Sequence, residues 1–253
     1  SPIYFQPCRS EICREPYGVA LIVAPWNYPI QLAIAPLVSA IAAGNTVVLK
    51  PSELATASEA LLVKLLVEVF PPELVRVQTG GADVASALLN ERFDFIFFTG
   101  STEIGKIVAL KAAEYLTPCV LELGGKCPCV VDSTADIKLA AGRILSGKFF
   151  NGGQTCFAPD FVVVHESVKQ ELLAAMKCEL DQVPWHQEMS HVINDRHFQR
   201  LSDFLLGLSN DQVTCRGEDD RDVCKLAPRI VSGIDWDHRL LQEEIFGPIL
   251  PIV

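Results

Sequence analysis

FDFIFFTGSTEIGKIVALKAAEY, residues 93–115, decides how the rest of the chain is read. Residues 93–98, aromatic-rich and of strand length, read as a strand, Thr99-Gly100-Ser101-Thr102 as a tight turn, and residues 103–115 as a helix. The same alternation precedes it. GVALIVA (18–24) is a continuous apolar run ending at Pro25, the pattern of a strand buried on both faces. A helix follows from Pro29 to Ala43, stopped by Gly44-Asn45, and then a β-branched strand at 46–49. Ser52 opens a capping arrangement for a helix over 54–70, which Pro71-Pro72 breaks. A short strand at 74–77, a short helix at 83–89 and a strand at 117–123 complete the series. Strands and helices alternating at this spacing predict βα units and a parallel sheet covered on both faces, an α/β fold.

Beyond Lys126 the pattern is less regular. Strands are expected at 128–131 and 161–164, and helices at 135–150, 168–180 and 198–208. Residues 181–223 are polar and resist assignment. The change in regularity divides the chain into domains at 1–122 and 123–253. The chain has no initiating Met and stops within PILPIV (248–253). An apolar run of that kind is expected at a sheet edge, covered by an element outside the chain. The chain therefore reads as truncated at both ends.

Composition narrows the function. A hydrophobic fraction of 49% suits a globular protein. The net charge of −10, without a Lys/Arg run, argues against nucleic-acid binding. Residues 1–10 lack the features of a signal peptide, and prolines interrupt the longest apolar stretch, so no membrane segment is expected. Nine scattered cysteines suit a reducing, cytoplasmic compartment. Without a CxxC pair or HExxH, no metal site is expected.

Several residues could carry chemistry. Cys156 follows a Gly152-Gly153 pair, in a loop whose backbone N–H groups suit a thiolate. Cys119, Cys127 and Cys129 lie in or beside apolar strands and read as inert core thiols. Glu122 lies in the apolar run LELGG, where burial would raise its pKa toward neutrality, as a general base requires. It reads equally as a carboxylate satisfied by local N–H groups. Asn27, between Pro25 and Pro29, can donate an amide N–H to an oxyanion or simply form a turn. Lys50 and Glu53 follow a strand directly, where they could hold ribose hydroxyls or form an ordinary helix start. The turn at 99–102 presents a helix N-terminus suited to a phosphate, although a plain capped helix accounts for it equally well. GSTEIGKI departs from the P-loop pattern because Ile107 replaces the Mg²⁺-binding Ser or Thr, and GxGxxG is absent.

Together, PWNYP (25–29), KPSE (50–53), FTGSTEIG (98–105), LELGGK (121–126), NGGQTC (151–156) and EEIFGP (243–248) resemble the aldehyde dehydrogenase superfamily, in the family's own order. GKIVALKAAEYLTP and GQTCFAPD look most like its class 3 branch. The resemblance implies a Rossmann-type parallel-sheet domain that binds NAD or NADP without GxGxxG, plus a partial α/β catalytic domain. By the same resemblance Cys156 is the nucleophile, Glu122 the general base and Asn27 the oxyanion donor. Lys50 and Glu53 match the adenosine ribose site, Gly100, Ser101 and Gly105 the pyrophosphate turn, and Glu244 and Phe246 the nicotinamide end. Trp26 and Thr99 complete the implied cofactor residues.

Medium- or long-chain aliphatic or aromatic aldehydes are the implied substrates, and a homodimer the implied assembly. Relative to the family, an N-terminal helical segment and everything after the EEIFGP strand are missing, including part of the substrate tunnel and the strand that joins subunits. Two rivals follow: a non-catalytic fragment or pseudoenzyme that keeps the fold and dinucleotide binding, and an acylating enzyme that passes its thioester to coenzyme A. A dedicated base at Glu122 favours transfer to water.

Overall fold

The computed structural model describes residues 3–8, 11–182 and 184–253. It divides into two compact units, Ser1–Leu123 and Gly124–Val253. Residues 1, 2, 9 and 10 of the expected first domain, and Val183 in the polar stretch, lie outside the described residues.

In the first unit, β1 (Val19–Val23), α1 (Gln31–Ala42), β2 (Thr46–Lys50), α2 (Thr56–Val69), β3 (Val75–Val77), α3 (Ala82–Leu89), β4 (Phe95–Gly100), α4 (Thr102–Glu114) and β5 (Cys119–Leu123) alternate along the chain. The sheet order is β3-β2-β1-β4-β5, with every pair parallel. This is a Rossmann-type sheet, and its strand order reverses between β1 and β4. Open α/β sheets hold ligands at that reversal, outside the strands' carboxyl ends.

The unbroken apolar run of β1 now has its reason. Successive side chains point to opposite faces, and both faces are covered. Ala20 and Ile22 pack with Ala33, Leu37, Leu62 and Leu66 of α1 and α2. Leu21 packs with Ile96, Phe98, Val108 and Ala112 on the other side. Full burial of one such leucine contributes about 1.5–3 kcal/mol.

Two details of this unit depart from expectation. The helix expected at 54–70 begins at Thr56, and its N-cap Ala55 has no side-chain cap. Ser52 closes the preceding turn instead: its Oγ accepts the Leu54 N–H at 3.3 Å, and its carbonyl accepts the Ala55 N–H. The strand expected at 93–98 runs on to Gly100, which shortens the turn, and Ser101 caps α4 by accepting the Ile104 N–H at 3.4 Å.

The second unit contains β6 (Pro128–Val131), α5 (Ile137–Phe149), a 3-10 turn (Phe150–Gly153), β7 (Phe161–Val164), α6 (Glu166–Gln182), α7 (Trp185–Glu188), α8 (Asp195–Asp203), β8 (Val213–Cys215), β9 (Arg229–Ser232), α9 (Arg239–Gln242) and β10 (Ile249–Ile252). Its sheet order is β6-β7-β10-β9-β8, antiparallel only between β8 and β9. The apolar run at 248–253 is therefore no sheet edge. As β10 it pairs with β7 on one side and β9 on the other, and all four of its residues are buried. The helix expected at 198–208 starts earlier, because Asn194 caps α8 through the His197 N–H at 3.0 Å. It also ends earlier, since successive tight turns follow Asp203 and Gly207 adopts φ +84°.

Candidate active site

Nine of the expected site residues belong to the first unit and gather at the carboxyl end of its sheet. Trp26 and Asn27 follow β1, Lys50 ends β2 with Glu53 just beyond it, Thr99 and Gly100 end β4, and Ser101 and Gly105 begin α4. Lys50 is 3% exposed, and its ammonium donates to the Pro51 carbonyl at 3.1 Å and to Glu53 Oε2 at 3.0 Å. The glycines here serve close approach. A Cβ on Gly100 would lie 2.5 Å from the Phe98 ring, and one on Gly105 2.6 Å from Leu123. Gly100 thus satisfies a steric demand rather than loosening the turn.

Glu122 corrects an expectation. It stands on β5, the outer strand of this sheet, paired in register with Thr99, and it is exposed. Alternation along β5 turns Leu121 and Leu123 toward the core cluster and Glu122 outward, so the burial suggested by its apolar neighbours is absent. Cys119 and Cys129 are partly buried and pack against the cores of the first and second units respectively, and Cys127 is a partly buried free thiol.

In the second unit the chain leaves α5 through three consecutive left-handed residues, Asn151 (φ 51°), Gly152 (φ 62°) and Gly153 (φ 75°). Gln154, 3% exposed, pins the turn from behind. Its Nε2 donates to the Asn151 and His191 carbonyls at 3.1 and 2.9 Å, and its Oε1 accepts the Ile193 N–H at 2.9 Å. The Ala158 N–H donates to the Thr155 carbonyl, which carries Cys156 round a turn with its thiol partly exposed. Cys127 Sγ lies 3.3 Å from the Cys156 carbonyl and donates to it. The Cys127 thiol is itself pushed up in pKa, by burial first and then by Asp160 and Glu244.

The expected cofactor residues Glu244 and Phe246 lie in the same unit as Cys156. Glu244 rests against the Gly124-Gly125 pair, where a Cβ on Gly124 would meet its carboxylate at 2.0 Å and the Gly125 N–H donates to it at 3.0 Å. Gly124 makes room for the carboxylate and Gly125 contributes its backbone N–H. Burial raises the Glu244 pKa, and the Gly125 N–H opposes that shift. Phe246 adopts φ 50°, a left-handed conformation costly for a bulky residue and typical of sites held by their surroundings.

Sequence reasoning missed the buried charges beneath this turn. Asp160, 4% exposed, and Lys148, fully buried, lie 3.5 Å apart. Lys126 pairs with the same carboxylate and donates to the Leu240 carbonyl at 2.7 Å. Burial pushes the Lys148 pKa down to about 8, although Asp160 resists. A lysine within the apolar stretch GKFF, and an aspartate just before the strand FVVV, were the available signals.

Arg200 on α8 donates to the Glu244 and Ile245 carbonyls at 3.2 and 2.6 Å. Its neighbour His197 is pushed down to about 4, by burial first and then by Arg200 and Arg196. The unfolded chain therefore takes up this proton near pH 6.5 while the folded chain does not. Stability carried by neutral His197 is present above about pH 6.5 and is lost as pH falls toward about 4. Thermal melts across that window are expected to fall less steeply for His197→Gln than for the parent; equal slopes would discount the histidine. Among the described residues, no helix is long and apolar enough to cross a membrane, and no group of three His, Cys, Asp or Glu side chains could hold a metal.

Comparison with known proteins places this geometry in context. Residues 6–253 match the profile of the Aldehyde dehydrogenase family. Aldehyde dehydrogenase family 3 member H1 of Arabidopsis thaliana is 46% identical, over 98% of this chain and 52% of that protein. The substrate-bound AldH structure from Staphylococcus aureus is 43% identical with a TM-score of 0.94, covering 100% of this chain and 56% of that one. An NADP-dependent glyceraldehyde-3-phosphate dehydrogenase from Bacillus halodurans, solved with NADP, is 35% identical with a TM-score of 0.86, over 95% of this chain and 52% of its own. The chain spans about half the length of the curated relatives it matches.

Proposed function

This chain belongs to the aldehyde dehydrogenase family, and from that premise we propose that the protein oxidises an aldehyde to a carboxylic acid with NAD or NADP as hydride acceptor. The observation that carries the proposal is the setting of Cys156. It is a partly exposed thiol on a turn fixed by the buried amide of Gln154, as a nucleophile requires.

The first unit fits a dinucleotide. Strand order reverses between β1 and β4, Gly100 keeps the backbone bare there, and α4 begins at the same edge with the positive end of its dipole. In the family's manner, Lys50 and Glu53 would serve the adenosine ribose. Thr99, Gly100, Ser101 and Gly105 would serve the pyrophosphate, with Trp26 beside them, and Glu244 and Phe246 the nicotinamide end. When bound, the dinucleotide supplies the hydride acceptor.

The chain's own residues do the rest. Cys156 Sγ, as thiolate, adds to the aldehyde carbonyl carbon, and the Asn27 amide and the Cys156 N–H donate to the oxyanion that forms. Departure of hydride from that carbon leaves a thioester on Sγ. Glu122 takes a proton from the attacking water, the C–S bond breaks, and the acid departs as the thiolate returns. Medium- or long-chain aliphatic or aromatic aldehydes are the proposed substrates. A homodimer in a reducing, cytoplasmic compartment is the proposed setting, consistent with nine free thiols.

Mixing the protein with an aliphatic aldehyde and either dinucleotide, and following reduced nicotinamide and free acid, tests the reading. Dinucleotide binding without reduction would overturn it in favour of a fold kept for binding. Acyl-coenzyme A formed in preference to acid would reassign the acceptor. Glu122→Gln is expected to slow steady-state turnover by about 10²-fold or more while a first-turnover burst of reduced nicotinamide survives. Unchanged steady-state turnover would remove Glu122 from the mechanism. Because Glu122 is exposed, its replacement should shift stability by no more than about 0.5 kcal/mol.

A further inference from the structure

We infer that Asp160 is a latch that holds the Cys156 turn and the Glu244–Phe246 turn as one piece. It is a positioning residue whose consequence for catalysis rests on the function proposed above.

Asp160 lies four residues beyond Cys156, and its Oδ1 accepts the Ile245 N–H at 3.1 Å. Lys126 engages Oδ2 and Lys148 stands 3.5 Å from Oδ1, so two cations fix one buried carboxylate. The Asp160 N–H also donates to the Cys127 carbonyl at 2.8 Å, and Cys127 Sγ donates to Cys156. At the other end of the Cys156 turn, Gly153 abuts the opposing turn so closely that a Cβ would lie 2.2 Å from the Gly247 carbonyl. Segment 153–160 therefore meets segment 245–248 at both of its ends, with Cys156 between the two contacts.

Stability alone is a poor reason for such a cluster. Replacing buried ion pairs with apolar side chains is often neutral or stabilising, whereas in some proteins a buried polar or charged group fixes the register of its neighbours. The group held here is the Ile245 peptide, between Glu244 and the left-handed Phe246.

The test uses Asp160→Asn, which keeps the shape and removes the charge that the lysines grip, and Lys148→Met, which removes one cation and leaves Lys126 in place. Dinucleotide affinity is read by titration. Carbamidomethylation of Cys156 by iodoacetamide is read across pH by peptide mass spectrometry. A latch predicts that Asp160→Asn weakens dinucleotide binding by about tenfold or more and displaces the pH profile of Cys156 alkylation, and that Lys148→Met moves both the same way by less. If both variants melt earlier but keep the parent's affinity and alkylation profile, the latch is refuted and the cluster is structural. Should Asp160→Asn fail to fold, Lys148→Met decides by the same two readouts. If the parent itself binds no dinucleotide, the proposed function fails, and the alkylation profile still judges the latch.

Discussion

Cys156→Ala is expected to lower aldehyde-dependent nicotinamide reduction by at least about 10⁴-fold, the scale on which enzymes lose activity with their nucleophile. Dinucleotide affinity should stay within about twofold, because the residues proposed to bind the dinucleotide are others. The substitution is structurally mild. Cys156 is only partly buried, its left-handed neighbours keep their identities, and its carbonyl, which accepts from Cys127, is backbone. A melting temperature close to the parent's would confirm that chemistry alone was removed. Retained turnover would move the nucleophile elsewhere and end the present assignment.

Gly153→Ala is expected to be the most damaging single-methyl change in the second unit, destabilising by about 3 kcal/mol or more. The added Cβ would stand 2.2 Å from the Gly247 carbonyl oxygen and 2.4 Å from its carbon, at a residue whose φ is +75°. Backbone lies on both sides, so no side-chain rotation relieves the overlap, and an L-residue carries a further conformational cost at that φ. Gly125→Ala is the control, because a Cβ there meets nothing within 4 Å. Denaturant unfolding of the two variants should separate them clearly. A Gly153→Ala protein as stable as Gly125→Ala would mean that the two turns do not press together.

How much of this was legible in the sequence depended on where the determining contacts lie. The first sheet was readable because each strand and helix carries its own pattern. β1 is apolar throughout since helices cover both its faces, and Ser101 caps α4 from within the turn. Local rules are sufficient for such elements. The second unit was less readable because its strands are three or four residues long, and burial there is decided by distant partners. β10 looked like an edge because nothing in PILPIV names β7 and β9 as its neighbours. Glu122 erred the other way: its apolar neighbours imply burial, while its place on the outer strand exposes it.

The site divides along the same line. Cys156, Glu244 and the glycine pairs could be found in their motifs. Asp160 and Lys148 could not, because a buried charge is recognised by what surrounds it, and Lys126, Lys148 and Ile245 meet Asp160 only in three dimensions.

The position of β10 also bears on how the molecule is made. The first sheet is complete once β5 has been synthesised, whereas β7 and β9 are joined only through the strand at 249–252. At ribosomal rates of roughly 5–20 residues per second, the delay between the two is on the order of ten seconds. In its last part, once β9 has been made, the nascent second unit carries two half-sheets, β6-β7 and β9-β8, whose facing edges lack their shared neighbour. Bare strand edges invite mispairing, so this interval during translation is when the chain most needs a chaperone.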